Sequence, residues 1–195
     1  MLVLASASPR RRELLSVVGI NDFKVLPSEA EEKTEQGQTP RETVTALSRR
    51  KAEDVARRVP EDTVIAADTM VFLDGKLLGK PKSRVEAAEM LRELSGKCHS
   101  VYTGVTVSGP NGTITDVCET RVFFRKLTEH EIDAYVDSGE PMDKAGAYGI
   151  QGRAAVFVEK IEGDYYNVVG LPLCMLYEML EKVGYNVFGG TEEKL

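Results

Sequence analysis

The chain has 195 residues, 42% of them hydrophobic and 29% charged, and its 31 acidic against 25 basic side chains leave a net charge of −6. At about 150 residues per domain this is one domain (residues 1–195) or two intimately packed lobes, which excludes a repeat array and argues against a disordered chain or a small disulfide scaffold. The acidic balance argues against a general affinity for nucleic acid or an anionic membrane and confines any polyanion site to a local basic patch.

Cys98, Cys118 and Cys174 lack CxxC spacing, so no disulfide framework or zinc ribbon is expected and a reducing cytoplasm fits best. Met1 to Ala7 is apolar, but the charges at Arg10, Arg11 and Arg12 follow it, the reverse of a signal peptide. The longest apolar stretch, Val168 to Leu176, contains Gly170 and Pro172 and falls far short of the ~18 residues of a membrane span.

Leu2 to Ala5 reads as a buried strand, and Ser8-Pro9 opens a helix that ends near Gly19 with Leu14, Leu15 and Val18 as its core stripe. Thr39-Pro40-Arg41-Glu42 is a capping box with proline at the first position, predicting a helix to about Val59. Thr63 to Val71 is β-branched and apolar enough for a central strand, and Asp74-Gly75 turns it into a hairpin with Lys76 to Leu78. Ser83 with Glu86 opens a helix to Ser95-Gly96. Two long strands follow, from about Val101 and up to Phe124, joined by Gly109-Pro110-Asn111-Gly112. Thr128 with Glu131 caps a helix to Gly139, and the glycine-dense stretch Glu140 to Gly152 reads as a functional loop. A strand pair, Ala154 to Ile161 and Tyr165 to Val169, precedes a last helix from Leu173 to Val183, and the tail after Gly189 is expected to fray. Strands and helices intermingle without strict alternation, so the class is α/β or α+β with a mixed sheet.

Three places could carry chemistry. Ser6 to Arg11 passes from a strand into a helix whose first N–H groups lack internal partners, and guanidiniums beside them suit a phosphate; a solvated basic first turn is the plainer alternative. Helical arithmetic puts Lys51 within about 40° of the core-facing stripe Val44, Ser48, Val55 and Val59, while Arg49, Arg50 and Arg57 point elsewhere; from this helix alone, a lysine snorkelling past the core edge is the simpler account. In the hairpin, cross-strand partners sum to 149, so Lys80 comes opposite Thr69 and beside Asp68. That carboxylate ends an apolar strand and is either a base or metal ligand, or the partner of Lys80 in an ordinary ion pair. GxxxxGK[ST], GxGxxG, HExxH and GxSxG are all absent, and His99 and His130 lie near no motif serine.

Ser6-Ala7-Ser8-Pro9-Arg10-Arg11, Ala67-Asp68-Thr69-Met70-Val71, Leu78-Gly79-Lys80-Pro81, Leu94-Ser95-Gly96 and Glu140 to Gly152 together resemble the Maf family of nucleoside triphosphate pyrophosphatases. The run Gly146-Ala147-Tyr148-Gly149-Ile150-Gln151-Gly152 resembles the dTTP/UTP subgroup rather than the 7-methyl-GTP subgroup. The resemblance implies a central mixed sheet with flanking helices and two lobes around a deep nucleotide-binding cleft, a homodimer, and metal-dependent hydrolysis of dTTP and UTP, in a house-cleaning role, to the monophosphate and pyrophosphate. It implies Asp68 as the proton acceptor. Arg10, Thr69 and Gln151 match substrate-selectivity positions, and Ser8, Arg11, Lys51 and Lys80 match the phosphate side. Glu32, with Asp68, matches the site of a divalent cation such as Mg²⁺, Mn²⁺ or Co²⁺, although Glu29 and Glu31 compete with Glu32 for that role. Ala154 departs from the glycine expected after Gly152-Arg153. Two rivals stand beside this reading: a pyrophosphatase for 7-methyl-GTP or modified purines, and a nucleotide-sensing regulator of cell division.

Overall fold

Residues 1–34 and 37–188 are described by a computed structural model. Among them, β1 (Leu2–Leu4), β2 (Phe23–Val25), β3 (Thr63–Leu73), β4 (Lys76–Leu78), β5 (Cys98–Gly109), β6 (Gly112–Phe124) and β7 (Val158–Glu162) form one mixed sheet of seven strands. The order is β2-β1-β3-β5-β6-β7, with β4 paired to β3. The helices are α1 (Pro9–Val17), α2 (Pro40–Ala56), α3 (Arg84–Leu94), α4 (Glu129–Asp137), α5 (Tyr165–Val169) and α6 (Leu173–Lys182). The mixed-sheet class read from the sequence is the one observed: β1 runs parallel to β2 and β3, and the remaining pairs are antiparallel.

Capping chemistry sets most helix starts. Thr39 with Glu42 and Thr128 with Glu131 form reciprocal boxes. At α3 only half a box forms: Ser83 Oγ accepts from Glu86 N, but the Glu86 carboxylate reaches one residue further back and accepts from Lys82 N at 2.7 Å. The hairpin register is the one expected, with Val71, Phe72 and Leu73 opposite Leu78, Leu77 and Lys76. Asp74 at φ 50 and Gly75 at φ 79 supply the left-handed turn, a conformation open to aspartate and easy for glycine.

Alternation along β3 divides the interior. Val64 and Ala66 pack under α2 with Val3, Ala5, Ala52 and Val55. Ile65 and Ala67 face the opposite side, in a cluster with Leu14 of α1 and Leu176 of α6, and further along Val71 and Leu73 join the cluster under α3 and α4. Ile150 packs against both of these clusters, so the glycine-dense segment is seated at their junction. On the α2 side, Gly104 lies opposite Asp68, and a Cβ there would overlap the Val44 carbonyl oxygen. Its absence lets the α2 backbone lie directly on the sheet.

Several expectations are corrected. Tyr165–Val169 is not a strand but α5: Asp164 Oδ1 accepts from Tyr166 N and Asn167 N, and Asn167 is fully buried, donating to Val101 O and Thr120 Oγ1. The cap and the buried amide stabilise a helical turn over a strand, despite the β-branched and aromatic residues. Arg153–Phe157 is a 3-10 turn, with Ala154 wholly buried, so the strand begins only at Val158. Regular α2 stops at Ala56, short of Val59. Strand β2, three residues with no readable period, was not foreseen. The tail beyond Gly189 lies outside the described residues.

Candidate active site

A gap in the sheet opens where β3 changes partner. On one edge β3 pairs with β1 over Thr63–Ile65 and with β4 over Val71–Leu73, while β5 follows its other edge from Val64 to Phe72. Residues 66–70 therefore face a break beyond the carboxyl end of parallel β1, the kind of crevice in which open α/β sheets bind ligands. It is the floor of a cleft of about 910 Å³, walled by the Ser6–Arg11 segment, Glu32, Lys51, Lys80 and the turn around Gln151.

Period-two alternation sends Asp68 toward α2 and Thr69 toward the other face. Lys51 lies two helical turns beyond Val44 on the stripe that packs on the sheet, and its Nζ meets Asp68 Oδ1 at 2.5 Å and Glu32 Oε1 at 2.6 Å. The side chains of Lys51 and Asp68 are only 13% and 10% exposed, against 67% for Glu32. The lysine is thus bound between two carboxylates rather than snorkelling. Asp68 Oδ2 makes no hydrogen bond among the described residues. Asp68 pairs with Lys51, not Lys80: β4 ends at Leu78, and Lys80 stands exposed on the cleft rim without an ion pair among the described residues.

The three acids lie in different places. Glu29 faces Arg58 at 3.7 Å and Glu31 pairs with Lys33 at 2.7 Å, both outside the cleft, so only Glu32 converges on Asp68. The hydrogen bond from Lys51 holds the Glu32 carboxyl below its ordinary range. Arg50, on the neighbouring helix position, turns away and donates to Lys33 O at 2.7 Å.

Arg11 lines the cleft with most of its guanidinium already engaged by the protein. Its guanidinium donates to Gly170 O at 2.9 Å, Ser6 Oγ at 3.1 Å, Ala67 O at 2.8 Å and Thr69 Oγ1 at 3.0 Å. It satisfies the Ala67 carbonyl on the unpaired stretch of β3 and clasps three segments together. Burial pushes the guanidinium down from its usual value, against the pull of the Asp68 charge. Thr69 Oγ1 is likewise engaged, with Arg11 and with Thr103 Oγ1 at 2.9 Å. Ser8 and Arg10 line the cleft as expected; the Ser8 side chain makes no capping bond to α1, and Arg10 reaches across to Asp143 at 3.1 Å. Gln151 is exposed on the cleft wall, and its amide makes no hydrogen bond among the described residues.

The sequence reading missed Tyr135, Glu140 and Asp143, whose carboxylates and hydroxyl organise the glycine-dense segment. Glu140 and Asp143 stand inside the Glu140–Gly152 motif, which gave them no role of their own; Tyr135 lies on α4, and no periodicity connects it to the cleft. His99 was noted only as remote from any serine. It is buried behind the cleft, with Nε2 2.8 Å from Tyr148 Oη, and burial pushes its imidazole down to about 4. No helix among the described residues is long and apolar enough to cross a membrane.

The family described as Maf-like protein matches residues 1–183. Curated relatives named dTTP/UTP pyrophosphatase include one from Pelotomaculum thermopropionicum, 53% identical over 95% of this chain and 98% of that one, and one from Pyrococcus abyssi, 51% identical over 95% and 97%. Among solved structures, a HAM1 protein from Coxiella burnetii superposes with a TM-score of 0.45 at 16% identity, covering 80% of this chain and 90% of that one.

Proposed function

The chain belongs to the Maf family and is a nucleoside triphosphate pyrophosphatase, and from that premise we propose that its substrates are dTTP and UTP, each cleaved at the α–β phosphoanhydride to the monophosphate and pyrophosphate. The observation that carries the reading is the convergence of Asp68, Lys51 and Glu32 in one cleft with Lys80 and the uncapped first turn of α1. A carboxylate with one oxygen fixed by an ammonium and the other open can accept a proton from water. Helix N–H groups with Arg10, Lys51 and Lys80 bind the anionic triphosphate and stabilise charge as it develops. Arg11 and Thr69 hold the Asp68–Thr69 corner of β3 in place, with one guanidinium N–H left over for a phosphate oxygen.

A divalent metal fits this donor set. Glu32 and Asp68 are hard oxygen donors already converging on one cationic atom, Lys51 Nζ, and would hold Mg²⁺ or Mn²⁺. No cluster of three or more metal-ligating side chains occurs among the described residues, so further coordination would fall to phosphate oxygens and water. Such an ion would neutralise negative charge on the phosphates. For the base, the Gln151 amide offers one donor and one acceptor, matching the N3–H and O4 edge shared by uracil and thymine. In the cell this activity removes pyrimidine triphosphates from the nucleotide pool, a house-cleaning role.

The test is pyrophosphate release by purified protein on a nucleotide panel with Mg²⁺ or Mn²⁺, wild type beside Asp68→Asn. The expected result is preferential turnover of dTTP and UTP, lost by roughly 10²- to 10⁴-fold in a folded Asp68→Asn protein. Wild-type-like turnover by that variant would overturn the role of Asp68. Tight triphosphate binding by the wild type without pyrophosphate release would favour a sensor.

A further inference from the structure

Gln151 is placed by groups behind its turn rather than by contacts of its own. Tyr135 Oη accepts a hydrogen bond from Gly149 N at 3.2 Å and donates to Glu140 Oε1 at 3.0 Å, and Glu140 Oε2 accepts from Arg153 N at 3.2 Å. The brace therefore grips the backbone two residues before and two residues after Gln151. Within the turn, Gly152 N donates to Gly149 O at 3.1 Å. Lys144 Nζ, donating to Glu140 O at 2.7 Å, fixes the start of the segment.

Glycine at both flanks leaves room for this approach. A Cβ on Gly152 would overlap Glu140 Oε1, and one on Gly149 would stand 2.6 Å from Lys144 Cε. Burial pushes the Tyr135 phenol well up, so it remains a donor at neutral pH. Its ring is locked edge-on against Phe157 with centroids 5.2 Å apart, so the hydroxyl is presented from the core on a rigid mount.

We propose that Tyr135 and Glu140 are positioning residues for nucleobase selection, holding the Gly149–Arg153 turn so that the Gln151 amide meets a pyrimidine edge. The proposal rests on the reading of Gln151 as the base-contacting group. Amide readout of a base needs placement to within about 0.5 Å, which a glycine-rich turn supplies only when its backbone is anchored from outside. The brace acts on selectivity and leaves the chemistry at Asp68 alone, because neither side chain bonds to Asp68, Lys51 or Glu32.

The experiment measures kcat and KM for dTTP, UTP and GTP in wild type, Tyr135→Phe, Glu140→Gln, Gln151→Ala and the double variant Tyr135→Phe/Gln151→Ala, with thermal unfolding of each. Tyr135→Phe keeps the ring and deletes the two bonds; it is expected to fold and to lower the dTTP/GTP and UTP/GTP ratios of kcat/KM by roughly fivefold, mainly through KM. In the Gln151→Ala background the same change should leave those ratios unmoved. Should Tyr135→Phe fail to fold, Glu140→Gln carries the same expectation. Equal loss on all three nucleotides, or unchanged ratios, overturns the positioning role. Ratios unchanged in Gln151→Ala itself would instead remove the base-contacting role of Gln151, and the proposal with it.

Discussion

Replacing Lys51 by methionine isolates the charge at the centre of the cleft, since methionine keeps most of the length and apolar stem. The wild-type ammonium lies 2.5 Å from Asp68 Oδ1 and 2.6 Å from Glu32 Oε1. Glu32 is 67% exposed and, once unpaired, is rehydrated, so that half of the interaction is worth at most about 1 kcal/mol. Asp68 is 10% exposed and has no other cation at ion-pair distance among the described residues. Leaving a buried charge unpaired costs about 3–5 kcal/mol; with a cleft on one side, the lower end applies, and Lys51→Met should destabilise by about 3 kcal/mol, or roughly 6–12 °C in Tm for a chain of this size. Asp68→Asn should cost only about 1 kcal/mol, because Lys51 keeps Glu32, and adding it to Lys51→Met should restore about 2 kcal/mol. Urea unfolding of the four proteins at pH 7 gives the coupling directly. A Lys51→Met cost within 1 kcal/mol of zero, or additive single and double variants, would refute the claim that Asp68 depends on this one ammonium.

Lys80→Ala should weaken binding of a non-hydrolysable triphosphate about tenfold and of the monophosphate far less, by calorimetric titration, with the gap narrowing at high salt; equal weakening would place Lys80 away from the phosphates. Acid unfolding should occur in two windows. Burial moves His99 from 6.5 to about 4, so between those values the unfolded chain binds more protons and stability falls as pH falls; the bonds from Arg125 and Thr128 hold Glu131 at about 2 against 4.5, so its contribution is present above about pH 4.5 and is lost toward pH 2. Glu131→Gln should flatten only the lower window of stability measured against pH.

Local chemistry made the element boundaries legible. The Thr39–Glu42 and Thr128–Glu131 boxes, the Asp74-Gly75 turn with its register, and the 3.6-residue stripe of α2 each depend on neighbours within a few residues, so composition and spacing suffice to read them. The same stripe correctly turned Lys51 inward, and the ordered motifs from Ser6 to Gly152 pointed to the family and to most of the cleft.

Partner choice across the fold lay beyond the sequence. Lys80 was the nearest cation to Asp68 along the hairpin, yet the close approach of α2 over Gly104 brings Lys51 to it instead. Arg11 donates to the Ala67 carbonyl exposed where β3 changes from β1 to β4, and to Gly170 O beyond α5, demands that exist only once the fold has formed. Tyr165–Val169 has strand-like composition, but Asp164 and the buried Asn167 amide make it helical against β5 and β6. Glu32, alone among its acidic neighbours, faces the cleft, while Glu29 and Glu31 pair with Arg58 and Lys33 outside it. What the sequence determined was the capped helices, the hairpin and the residue types able to handle a triphosphate; which of those side chains meet was decided by tertiary structure, because short-range bonding is encoded by adjacent residues, whereas ion pairs and orphan carbonyls find their partners only through packing.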